Sequence, residues 1–69
     1  MTPRDAVLSV LLDAAEPLHW TVIQDRALRS GAVNPFEVPD VRGAVLGALR
    51  TLVREGAVVK VERGVYAAA

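Results

Sequence analysis

The sequence predicts a mainly α domain with a small β-hairpin: three helices followed by two or three antiparallel strands. Three observations lead there. Apolar residues recur at helical spacing in three stretches, about residues 3–15, 21–30 and 40–55. Each stretch carries start or stop residues of its own: Thr2 and Pro17, then Thr21 and Gly31, then Asp40 and Gly56. The third stretch passes without a spacer into Val58-Val59-Lys60-Val61-Glu62, an Arg63-Gly64 tip and Val65-Tyr66-Ala67, which places a hairpin at about residues 57–68.

Thr2 opens helix 1 as N-cap, Pro3 suits the first helical position, and Asp5 lies where a carboxylate favours the dipole. Val7, Val10, Leu11 and Ala14 form one apolar face, and Leu8 and Leu12 add a second row that is either buried or meets a partner. Pro17 ends the helix by pushing the preceding residue out of the helical region. Leu18-His19-Trp20 then lies extended, with His19 expected to anchor the start of helix 2 and Trp20 to join the core. Thr21 and Gln24 stand in capping-box spacing, Ile23, Ala27 and Leu28 face inward, and Gly31 is the C-cap of helix 2. Asn34, Pro35 and Pro39 mark a loop that Phe36 and Val38 are expected to pin to the body.

Asp40 caps helix 3. Val41, Val45, Ala48, Leu49 and Leu52 gather on its inner side, and Gly43, Gly47, Arg50 and Arg54 on its outer side. Each helical glycine costs about 1 kcal/mol relative to alanine. Either the outer face lies close to a phosphate backbone or another helix, or Gly43 or Gly47 makes room for Trp20 or Phe36. In the hairpin, Gly64 supplies the positive φ that the tip needs, Val59 and Val61 alternate with Lys60 and Glu62, and Tyr66 covers the core edge.

With 69 residues, 52% of them hydrophobic, the chain makes one domain over residues 1–69. Ordering it costs roughly 100 kcal/mol, at about 1.5 kcal/mol per residue, so a packed apolar core must oppose that cost. There is no cysteine for a disulfide, and one histidine cannot build a structural zinc site, so neither metal nor cofactor is expected. Asp13 and Glu16 close the longest apolar run well short of the roughly 20 residues of a membrane span. No signal-peptide layout precedes it, and a soluble cytoplasmic protein is expected, nucleoid-associated in a bacterium.

Formal net charge is zero, but unevenly distributed. Residues 1–40 hold Arg4, Arg26 and Arg29 against Asp5, Asp13, Glu16, Asp25, Glu37 and Asp40; residues 41–69 hold Arg42, Arg50, Arg54, Lys60 and Arg63 against Glu55 and Glu62.

Helix, extended segment, helix, loop, helix and hairpin in this order look like a winged helix-turn-helix, the hairpin being the wing. Within that superfamily the chain most resembles the HARE helix-turn-helix family. The resemblance rests on Glu16-Pro17-Leu18-His19-Trp20 followed by the helix from Thr21 to Leu28, on Val41-Arg42-Gly43-Ala44-Val45-Leu46, and on the wing from Val58 to Tyr66. It implies a DNA-associated module of the kind found beside restriction, chromatin and RNA polymerase components. Neutral charge and Leu46 beside the outer face depart from strong DNA binders and speak against direct base readout.

An enzyme is not expected: the chain lacks a P-loop, a Gly-x-Gly-x-x-Gly run and a His-Glu-x-x-His pair, and Ser9, Ser30 and His19 make no nucleophile–base set. Two functions follow. In the first, helix 3, about 24 Å long, enters the roughly 12 Å major groove; Arg42, Arg50 and Arg54 contact phosphates or base edges, and Lys60 and Arg63 reach the backbone or minor groove. In the alternative, the domain docks a protein partner or a second copy through Leu8 and Leu12 on helix 1 and Gly43, Leu46 and Gly47 on helix 3.

Overall fold

A computed structural model describes residues 2–69. The elements run α1 (Pro3–Ala14), β1 (Leu18–His19), α2 (Trp20–Arg29), α3 (Val41–Glu55), β2 (Val58–Glu62) and β3 (Val65–Ala68). The strands form one antiparallel sheet in the order β1-β3-β2. Three helices with a three-stranded sheet at one end make a winged-helix fold, mainly α with a small wing.

The Thr2 hydroxyl caps α1 by accepting from the Asp5 amide at 3.2 Å, with Pro3 in the first turn. The helix stops at Ala14, a residue before the expected boundary, because Ala15 turns into the left-handed region at φ 55° and closes the last turn onto the Leu11 carbonyl. Ala6, Val7, Val10 and Leu11 are buried. The second apolar row divides: Leu8 packs against the core, whereas Leu12 is 61% exposed.

α2 begins at Trp20, not Thr21, and its cap is His19, whose Nδ1 accepts from the Thr21 amide at 3.3 Å and lies 2.8 Å from the Thr21 hydroxyl. The Thr21–Gln24 capping box therefore does not form, and the Gln24 Oε1 has no hydrogen-bond partner. Ser30 is the C-cap, and Gly31 follows it in the left-handed region at φ 77°. In the next loop Asn34 Oδ1 accepts from the Phe36 amide at 2.9 Å, and the tight turn directs the phenyl group outward. Phe36 is 96% exposed and pins nothing; Val33, 2% exposed and bonded through its amide to the Ala27 carbonyl, holds the loop, with Val38 packed beside the core.

Asp40 caps α3 through the Gly43 amide at 2.9 Å, and Gly56 ends the helix at φ 80°. Val45, Ala48, Leu49 and Leu52 are buried, and Val41 packs at the core's edge. At about 25 cal/mol per Å2 of apolar surface, side chains such as Leu49 and Leu52 are each worth roughly 1.5–3 kcal/mol. Ala57 bonds straight back to Leu52, so helix and wing share one rigid corner.

Gly64 makes the wing tip at φ 77°, where a side chain is strained, and a Cβ there would sit 2.8 Å from His19 Nε2 unless the imidazole shifted. The Gly64 carbonyl accepts from the Trp20 amide at 2.8 Å. The short β1 thereby ties the start of α2 to the tip of the wing. No helix among the described residues is long and apolar enough to cross a membrane.

Candidate nucleic-acid interface

Arg42, Arg50 and Arg54 project from α3 within an arc of about 120°, Arg50 and Arg54 on the outer side and Arg42 at its border with the buried stripe of Leu49 and Leu52. All three are exposed, as are Lys60 and Arg63 on the wing. Arg50 and Lys60 come together at a cleft between α3 and the wing, lined also by Leu46, Val53 and Tyr66. Arg42 lies with its guanidinium carbon 5.3 Å from the centroid of the Trp20 ring. A cation stacked on a ring keeps its N–H edge free for another acceptor. Trp20 also borders the wing tip, 3.4 Å from where a Gly64 Cβ would stand, so Arg42 and the Arg63-Gly64 tip meet across this half-buried indole. Arg54 continues the surface one turn beyond Arg50.

No ion pair among the described residues involves any of these five cations. Pairing is confined to other arginines: Arg29 with Asp25 at 3.1 Å, and Arg4 with both Asp5 at 3.1 Å and Glu55 at 2.8 Å. The Glu55 contact crosses from the start of α1 to the end of α3, and it is the main cause that raises the Arg4 pKa above its ordinary value. One of the two acids beyond residue 40 is thus already engaged.

The glycines of α3 have explanations other than a bulky neighbour. Neither Trp20 nor Phe36 fills the space at Gly43 or Gly47: a Cβ at Gly43 would collide with the Asp40 carboxylate, and one at Gly47 would meet nothing within 4 Å. Gly43 therefore belongs to the helix cap, and Gly47 leaves open surface. The candidate protein-interface residues form two separate places. Leu12 borders a shallow groove between α1 and the end of β3, whereas Leu46 lines the cleft beside Arg50.

Val53 and Tyr66 complete that cleft, and neither was expected in a site. Val53 stands seven residues after Leu46, two helical turns along the same stripe, which was visible as spacing. Tyr66 was hidden by a β-bulge. A regular hairpin closed by Glu62 and Val65 would set Val61 against Tyr66, but the shift between Lys60 and Glu62 sets Lys60 there. Compared with known proteins, the chain matches no family model, no curated protein and no solved structure.

Proposed function

We propose that this domain binds duplex DNA, with α3 against the major groove and the wing tip on the flanking backbone. The observation that carries this is the row of five exposed cations on α3 and the wing without a single carboxylate partner among the described residues. Free cations displace counterions from phosphate, whereas paired ones must first break their own bridges. Arg42, Arg50 and Arg54 serve the helix contact, and Lys60 and Arg63 the wing contact. Leu46 between the arginines gives no hydrogen bond to a base edge, so phosphate contacts dominate and sequence preference is weak. The domain acts as a cytoplasmic or nucleoid-associated binding module without catalysis. Its resemblance to the HARE helix-turn-helix family favours a place beside transcription, chromatin or restriction components.

Fluorescence anisotropy with a labelled duplex at several salt concentrations tests this. With five cations available, log K against log salt has a slope no steeper than about −4.5, and Arg50→Ala or Arg63→Ala each flattens it by about 0.9. Absence of duplex binding at low salt overturns the proposal.

Docking of a protein partner or a second copy on the same face has one specific observation in its favour, the open surface over Gly47 beside the apolar Leu46. Gly47→Ala separates the two. It adds up to about 1 kcal/mol of helix stability in urea denaturation. If a partner helix packs there, the same change weakens self-association or partner binding, as does Leu46→Glu; unchanged association in both variants excludes this face as a docking surface.

A further inference from the structure

The cleft between α3 and the wing carries chemistry that a phosphate grip alone does not use. Leu46, Val53 and the Tyr66 ring supply apolar lining, and Arg50 and Lys60 supply two positive charges. Its space is about 290 Å3, at the lower end of the roughly 300–1,000 Å3 of small-molecule sites. Leu46, Arg50 and Val53 follow one another at intervals of four and three along α3, so one rigid helix presents an apolar wall and a cation together. Strand register places Lys60 directly across from Tyr66, which brings the second cation beside the ring. Neither cation is paired with a carboxylate among the described residues, and Glu55, the acid nearest in sequence to Val53, is held by Arg4.

We infer that this cleft binds a small amphiphilic anion: a flat apolar body carrying one carboxylate or comparable oxyanion. The body lies on Leu46, Val53 and Tyr66, and the oxyanion takes charge-assisted hydrogen bonds from Arg50 and Lys60. A neutral apolar compound leaves both cations unanswered, and an inorganic anion leaves the apolar lining in water. An acidic peptide fits less well, because its backbone amides would lie over the same apolar side chains without partners. Arg50 and Lys60 also belong to the duplex grip proposed above, so an occupied cleft withdraws two of its five cations and competes with DNA. Only that competition rests on the DNA proposal; binding of the anion does not.

The test uses naphthoate as probe on the DNA-free domain, followed by amide chemical shifts in solution NMR. Saturable shifts centred on Leu46, Arg50, Val53, Lys60 and Tyr66 are expected. Binding falls about tenfold for Lys60→Gln, an exposed position where the fold is retained, and about tenfold for neutral naphthamide on the original chain. The inference is overturned by no saturable shift up to about 10 mM, by shifts centred elsewhere, by equal affinity for naphthamide, or by an acidic peptide that shifts these residues where naphthoate does not. Naphthoate added to a duplex complex is then expected to release the DNA. Undisturbed duplex binding at saturating naphthoate overturns the competition, while a domain that never binds duplex fails the DNA proposal and leaves the naphthoate result standing.

Discussion

On α1 and α2, Arg4 and Arg29 are tied to Asp5, Glu55 and Asp25 at 2.8–3.1 Å, whereas on α3 and the wing five cations are tied to no carboxylate among the described residues. Neutral net charge conceals this difference. Acids outnumber cations in residues 1–40, yet Arg4 reaches across the fold to engage an acid of the other half. The positive surface of α3 and the wing thus depends on pairing choices as much as on composition. A similar division runs around α3 itself, with Val45, Leu49 and Leu52 holding the fold on one side and exposed arginines on the other.

The sharpest way to break that division is to change the buried side of α3. Leu49 is fully buried among the helices, and Leu49→Ala is expected to cost about 2–5 kcal/mol through lost apolar transfer and the cavity left behind. In a domain this small that is a large part of the total stability, and thermal or urea denaturation reads it directly. Arg54→Ala, on the exposed side of the same helix, is expected to stay within about 0.5 kcal/mol of the original. Equal losses in the two variants would refute the division.

A smaller effect comes from the place where the two halves join. His19 caps α2 through Nδ1 and packs its Nε2 side against Gly64. His19→Ala is expected to cost about 1 kcal/mol, as loss of an N-cap does. Hydrogen exchange locates the damage: the Trp20 amide, bonded to the Gly64 carbonyl, exchanges faster, while amides in the middle of α1 change only with global stability. His19→Asn keeps a capping acceptor but loses the ring. Recovery of stability without recovery of Trp20 protection would separate the cap from the packing against the wing tip.

How far the sequence reached follows from the range of the interactions involved. Asp40, Gly56 and Gly64 were legible because caps and tight turns are set by residues a few positions apart. The alternation of buried Val45, Leu49 and Leu52 with exposed Arg50 and Arg54 was legible because it is a local period. Phe36 misled because an apolar side chain was expected to seek the core, while an Asx turn at Asn34 sends its backbone outward. The capping box at Thr21 misled for a related reason: His19, two residues before the expected cap, already satisfies the Thr21 amide. The cleft and the Arg4–Glu55 bridge lay beyond local pattern altogether. One needs a bulge that moves Lys60 opposite Tyr66, and the other joins residues 51 positions apart.

That bridge gives the finest test of the charge comparison. Arg4 and Glu55 are both exposed enough that their pairing adds little to stability, so Arg4→Ala is expected to leave the unfolding midpoint nearly unchanged. Its effect falls instead on the neighbouring end of α3. Freed from Arg4, the Glu55 carboxylate stands next to Arg54 in sequence and places negative charge at the edge of the cationic surface. Duplex affinity at low salt should fall about two- to threefold and recover in Arg4→Ala combined with Glu55→Gln, with the difference fading as salt screens the exposed charges. Measured together by anisotropy, these variants separate two origins of the positive surface. If Arg4→Ala alone leaves affinity unchanged while Arg50→Ala lowers it, the cations of α3 act without help from the pairing at α1, and composition alone accounts for the surface. If affinity falls and is restored by Glu55→Gln, the bridge from α1 is part of what keeps α3 and the wing positive.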